Sequence, residues 1–345
     1  MRATPVDVRY VYRLLLGREP DVEGYRHNCA LVEEKGLNTL ELARHFMESV
    51  EFHAKHIGGP AYGEFPKPIA STVPLDCQAC TQSQIESANF KYWASRLHEL
   101  PGKLHRKLWE WCFIAQALHE RDMLRPGMRG LGFAVGTEPL TSLFAGAGCS
   151  ILATDLRAKD AALAGWVATN QNAAGLEDLN KRCLCSADDF LNRVSFRLVD
   201  MRDIPSDIAG FDFLWSSCAM EYLGSLRDGL DFLLKAMNCL RPGGIAVHTT
   251  EFNCDTDVGT VESGNDVVYR RRDFLELSSL LAQQGHQISP FDFTTGSTDA
   301  DLYVDEPPYN GKIHLKLRIG GFCVHFVWLD HQEKRIKCMT RYHAP

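Results

Sequence analysis

GLGFAVGTEPLTSLFAGAGCSILATDL, residues 130–156, is the stretch whose reading decides the fold. Residues 131–135 and 150–154 are short, mostly apolar runs without alternation, the pattern of parallel strands covered by helices on both faces. Between them, 136–138 make a tight turn, Pro139 opens a helix over 139–145, and Gly146 and Gly148 end it. The second strand stops on Asp155, about twenty residues past the glycine turn, where a carboxylate suits the two hydroxyls of a ribose. The unit is therefore read as α/β with a nucleoside crevice at its carboxyl edge.

The place of the glycine distinguishes two cofactor classes. A dinucleotide fingerprint in Gly130-Leu131-Gly132 would need a strand within 125–129, but Arg-Pro-Gly-Met-Arg reads as a turn. With the strand at 131–135 the turn falls on Gly136, and the segment resembles the first motif of class I S-adenosylmethionine (SAM) dependent methyltransferases. That family shows acidic-x-Gly-x-Gly-x-Gly, and the matching positions here are Gly132, Ala134, Gly136 and Glu138, so only the middle glycine is kept. The resemblance implies a SAM site made by Gly132, Ala134, Gly136, Thr137, Asp155 and Leu156, with Glu138 altering how the methionyl carboxylate is held.

Composition bounds the rest. A chain of 345 residues, 45% hydrophobic, can bury a large core and hold two domains. The net charge of -7 and the lack of a long basic run argue against nucleic acid as the partner. No signal-peptide pattern opens the sequence and no apolar run nears the roughly twenty residues of a membrane span, so a cytoplasmic protein is expected. Most of the twelve cysteines sit in apolar segments; Cys77/Cys80 and Cys183/Cys185 are too far apart for a compact zinc module, and no metal site is expected.

In chain order, residues 1–57 read as a separate all-helical domain, with helices over 7–18, 21–34 and 39–48, the third capped by Asn38 with Glu41. YRLLLGREPDVEGY (12–25) and SVEFHAKH (49–56) resemble a small helical domain of unknown function found beside phycobilisome-linker-like and surface-layer modules; a protein-docking role and a structural cap are both open. Residues 58–76 are a Gly/Pro-rich linker. Helices over 84–100 and 103–120 make a cap, 77–124, before the catalytic domain, 125–345. His105, Arg106 and Lys107, on the first turn of the second helix, read either as a solvated basic face or as a grip on an anionic substrate or the cofactor carboxylate.

Downstream, 160–171 reads as a helix, and GWVATNQNAAGLEDL (165–179) resembles a run in a bacterial subgroup of uncharacterised methyltransferases. A third strand, 195–199, ends on Asp200-Met201; in the family these positions meet the adenine amino group and ring, against an ordinary turn carboxylate as the alternative. The fourth strand, 211–215, leads to Ser216, taken as a further cofactor contact. CLRPGG (239–244) before a fifth strand at 245–250 is a family signature. A strand near 286–293 and a hairpin of 313–319 with 322–329 around Gly320-Gly321 follow, with a long loop, 294–310, between them. The resemblance implies a Rossmann-like seven-stranded sheet with an antiparallel end strand, preceded by the small all-helical domain.

Methyl transfer needs mainly positioning and exclusion of water, plus a base when the acceptor is a hydroxyl. Ligands of open α/β sheets bind beyond the carboxyl ends of the strands, which nominates Glu221, Glu251 and His248 as catalytic. Each has a plainer reading: a helix-capping acid, a strand-end acid paired with 270–272, and a hydrogen-bonded core histidine. Arg271 could hold an anionic group of the substrate or simply open a helix. The expected activity is SAM-dependent O-methylation of a sugar or other small molecule, in polysaccharide assembly by analogy with related subgroups. The rivals are an NAD-dependent oxidoreductase and an inactive scaffold whose residues 1–57 bind a partner.

Overall fold

The computed structural model describes residues 2–47, 49, 51–52, 68, 75–157, 173, 175–309 and 311–332. Its contacts divide the chain into two units, 1–66 with 98–100, and 67–97 with 101–345. The expected helix over 160–171 and most of the expected linker, 58–76, lie outside the described residues. No described helix is long and apolar enough to cross a membrane.

The first unit packs three helices around Val8, Tyr12, Leu42 and Phe46. Helix α1 (Pro5–Val11) is capped by Thr4 and runs on as a wide turn, Tyr12–Leu16, which Gly17 ends at φ 58°. Asp21 caps α2 (Val22–Lys35). At the start of α3 (Thr39–Met47), the Glu41 N–H donates to Asn38 Oδ1 at 3.0 Å while the Asn38 N–H donates to Glu41 Oε2 at 2.8 Å, the reciprocal cap that the spacing of the two residues predicts.

In the second unit, α4 (Ala88–Arg96) and α5 (Arg106–Glu120) precede the sheet. Its long strands are β1 (Arg129–Gly132), β2 (Ser150–Asp155), β3 (Val194–Leu198), β4 (Phe211–Ser217), β5 (Leu240–Asn253), β6 (Lys316–Ile319) and β7 (Phe322–Gln332). They lie in the order β3-β2-β1-β4-β5-β7-β6, with β7 antiparallel to both its neighbours and β3 to β5 parallel. Two short strands, Val304–Asp305 beside β6 and Gln287–Ile288 beside β7, bring the sheet to nine rather than the expected seven. Pro290, which has no N–H to give a ladder, divides the strand expected near 286–293.

Helices cover both faces. On β4, Phe213 and Trp215 join the layer with α5 and α6 (Leu140–Gly146), while Leu214 joins the layer with α8 (Leu226–Ala236) and α9 (Arg271–Gln283); α7 (Ala187–Arg193) adds Phe190 to the first layer. This two-sided burial is why the strands read as apolar runs and not as alternating ones.

Two boundaries differ from the sequence reading. Residue 129 is strand rather than turn, because the Arg129 N–H donates to Asp212 Oδ2 at 2.6 Å and Arg129 pairs with Ser150. The strand also ends early: Ala134 turns left-handed, with φ 47°. Strand β5 begins at Leu240, which pairs with Phe211, while Ile245 pairs with Phe213; Arg-Pro-Gly-Gly loops out between these pairs.

Glu110 docks α5 on the sheet. Its fully buried carboxylate pairs with Arg106 (3.1 Å) and Lys107 (3.0 Å) and accepts hydrogen bonds from Ser217 Oγ of β4 (2.8 Å) and Thr249 Oγ1 of β5 (3.0 Å). Burial alone would raise this acid, but Lys107 and Arg106 outweigh it and hold the carboxyl at about 2. A folded pKa below the ordinary 4.5 contributes stability that is present above about pH 4.5 and lost as pH falls toward 2.

Glu110→Gln lowers the unfolding free energy at neutral pH by about 1–3 kcal/mol, discounted for the partial exposure of both cations, and flattens the acid side of the stability curve in denaturant titrations. At Gly132 a Cβ would stand 2.5 Å from Trp215 Cζ2 and from Val135 Cγ1, so Gly132→Ala costs about 1–3 kcal/mol, read as a lower denaturation midpoint at constant slope.

Candidate functional site

The strand order reverses between β1 and β4, and in open α/β sheets the crevice at such a point, beyond the carboxyl ends of the strands, takes the ligand. A cavity of about 810 Å³ lies there, within the usual size of a small-molecule site. Its walls follow the strand order. The loop after β3 supplies Asp200 and Met201, the tip of β2 Asp155 and Leu156, the turn after β1 Ala134 to Glu138, and the end of β4 Ser217 and Cys218. The first turn of α5 closes it with His105, Arg106 and Lys107.

Asp155 is 6% exposed, and backbone groups hold its carboxylate: Gly136 N–H (3.1 Å) and Ala173 N–H (2.8 Å) donate to Oδ2, and Leu156 N–H (2.8 Å) to Oδ1. Gly136 can aim its N–H there because it sits at φ 52°, a conformation that favours glycine. Ala134 and Cys218, both at φ 47°, are non-glycine residues in the left-handed region, and both line the cavity. Strain of this kind, of order 1–3 kcal/mol each, gathers at functional sites. Glycine occupies the Ala134 position in the resembled motif, in keeping with that backbone.

Three features set the cavity's charge. Glu110 neutralises part of what Arg106 and Lys107 bring, so the basic turn is less of an anion grip than its sequence implies. His105 caps α5, its Nδ1 accepting the Lys107 N–H at 3.2 Å, which leaves the ring proton on Nε2. Burial, then the neighbouring His314 and Arg106, lowers this ring to about 4, so it is a neutral hydrogen-bond donor at physiological pH. His314 lies against it with ring centroids 4.8 Å apart and planes tilted by 30°, and is tied through Nδ1 to buried Asp305 at 2.7 Å. Glu138 is the third feature: the Trp215 indole N–H donates to its Oε1 at 2.7 Å, and burial raises the acid to about 8.

Asp200 and Met201 both line the cavity, but the Asp200 carboxylate is bracketed by the Arg202 guanidinium at 2.7–3.2 Å. Several nominated residues do not line it. Gly132 is buried in β1 against Trp215, where the absence of a side chain serves packing. Ser216 faces away within β4 and bonds to His248 Nδ1 at 2.7 Å, while its neighbour Ser217 reaches the cavity, a consequence of strand alternation. His248 is fully buried on β5, edge-on to Phe232. Arg271 is exposed and lies over the Phe293 ring at 5.3 Å.

Glu221 and Glu251 are also buried and outside the cavity lining. Glu221 accepts from Thr250 Oγ1 at 3.0 Å, and burial raises it to about 7; burial and then Glu221 and Asp266 push Glu251 well above the ordinary carboxylate range. Tyr222 and Asn265, next in sequence to Glu221 and Asp266, do line the cavity. Ser217, Cys218 and Tyr222 were missed by the sequence reading; their signal was weak, since they are ordinary residues at or just past the end of the fourth strand. Lys107 completes the basic run of His105 and Arg106, for which a grip on an anion is one of the two sequence readings.

No family model matches the chain. Among curated proteins, a malonyl-[acyl-carrier protein] O-methyltransferase of Salmonella typhimurium is 37% identical over 73 residues, which is 21% of this chain and 28% of that protein. The chain thus matches under a third of that relative's length. Among solved structures, a protein assigned as a sarcosine dimethylglycine methyltransferase from Galdieria sulphuraria aligns with a TM-score of 0.43 at 14% identity, covering 66% of this chain and 86% of that one. A magnesium protoporphyrin IX methyltransferase from Synechocystis, solved with bound SAH, aligns with a TM-score of 0.40 at 11% identity over 66% and 84% of the two chains.

Proposed function

We propose that the chain is a SAM-dependent methyltransferase that transfers a methyl group to an oxygen of a small molecule, with a sugar hydroxyl as the acceptor class. The observation that carries this reading is the Asp155 carboxylate at the tip of β2, fixed opposite the left-handed turn at Gly136 in the crevice where the strand order reverses. The stretch shared with an O-methyltransferase supports it. A dinucleotide-type turn is disfavoured because Gly130 and Gly132 lie inside β1, and the antiparallel β7 stands where a dinucleotide-binding sheet continues in parallel.

When bound, SAM supplies a methyl group on a positively charged sulfur. The chain's part is to bind, orient and exclude water. Asp155 would hold the ribose hydroxyls, with Asp200 and Met201 beside the base. His105 offers a neutral N–H to an acceptor oxygen. For the acceptor's proton, Glu221 is the candidate receiver: it is next in sequence to Tyr222 on the cavity wall, and burial raises it to about 7, so its use requires a path to the cavity through that wall.

Asp155→Asn keeps the size of the side chain and removes its charge and one acceptor oxygen. Calorimetric titration with SAM should show affinity weakened about tenfold or more, roughly 1.4 kcal/mol, with the far-ultraviolet circular dichroism unchanged. Unaltered affinity in the variant would defeat the assignment of this carboxylate.

A further inference from the structure

Glu138 stands where the resembled motif has its third glycine, and the structure gives it an unusual setting. It is half-buried and lines the cavity, yet among the described residues it forms no ion pair. The nearby cation, Lys107, is engaged by Glu110 instead, and the Trp215 indole N–H donates to Glu138 at 2.7 Å, with the Trp111 indole also facing it. A carboxylate so placed would lie in a poorly solvated wall beside a second, fully ionised glutamate, Glu110.

The strand order says which end of a cofactor would reach it. A SAM molecule runs from base to ribose to amino acid, and the cavity runs from the β3 loop to the β2 tip to the β1 turn. With the base at Asp200–Met201 and the ribose at Asp155, the amino-acid end comes to the β1 turn, where Glu138 is. This step rests on the cofactor reading proposed above.

We propose that Glu138 is held as the neutral acid in the free protein and donates its O–H to the carboxylate of the cofactor's amino-acid end, replacing with a side-chain donor what a glycine turn offers through its backbone. Burial, against the opposing pull of Trp215 and Lys107 and with Glu110 adding to the rise, places its titration at about 8. The groups facing it are Trp215 from β4 and Trp111, Lys107 and Glu110 from α5; Asp155 shares the cavity. The neutral form is therefore full below that value and is lost above it, and a carboxylate ligand is repelled once the proton leaves.

The test uses two probes on the full chain: S-adenosylhomocysteine, which keeps the amino-acid end, and 5′-methylthioadenosine, which lacks it. By calorimetry, homocysteine-adenosine affinity should fall about tenfold between about pH 7 and pH 9, while Glu138→Gln, neutral throughout, shows no such fall. Methylthioadenosine should bind wild type and variant alike at both values. The infrared difference between wild type and Glu138→Gln at about pH 7 should contain the C=O stretch of a protonated acid. Equal pH slopes in wild type and variant, or the absence of that band, overturn the inference and leave the cofactor site standing. Failure of both nucleosides to bind at any pH overturns the inference and the cofactor reading together.

Discussion

The structure of the second unit turns on one short contact, the Gly136 N–H donating to the Asp155 carboxylate at 3.1 Å. It joins the turn after β1 to the tip of β2, and so fixes the mouth of the crevice at which the sheet reverses its order. The same carboxylate also accepts the N–H groups of Leu156 and Ala173, so three backbone donors from separate positions meet on one side chain. Hydrogen bonds to an ionised acceptor are the stronger kind, and a buried acceptor satisfied by backbone donors needs no counter-ion.

Charge around the cavity is arranged by partition. Glu110 takes both cations of the α5 first turn, Asp200 takes Arg202, and Glu138 accepts an indole N–H from Trp215. Acids with cations remain ionised; those without, Glu138, Glu221 and Glu251, are raised by burial. In and around the cavity, carboxyls held low by cations thus stand beside carboxyls raised by burial, a pattern associated with ligand and proton handling.

Much of this architecture was legible in the sequence because parallel strands covered on both faces leave a distinctive mark. The runs around 131, 151, 213 and 247 announced the sheet, the Gly320-Gly321 pair announced the hairpin, and Asp155 could be placed at a strand tip by counting from Gly136. What could not be read was side-chain direction. His248 and Ser216 seemed to belong to the site because they lie near strand ends, but alternation turns them toward each other inside the sheet. Glu110 looked like one more acid on a helix face, since nothing local reveals that Ser217 and Thr249, far along the chain, converge on it. The length of β1 was misjudged for a related reason: Arg129 is drawn into the strand by Asp212, a partner remote in sequence.

The central claim, that Asp155 and the Gly136 turn form a nucleoside site, is tested most directly by a crystal structure of the full chain grown with S-adenosylhomocysteine. The account predicts the ribose hydroxyls at about 2.5–3.0 Å from the Asp155 carboxylate oxygens, the base toward Met201 and the amino-acid end beside Glu138. A nucleoside found elsewhere on the molecule, or lying in this crevice in the reverse sense, would contradict it.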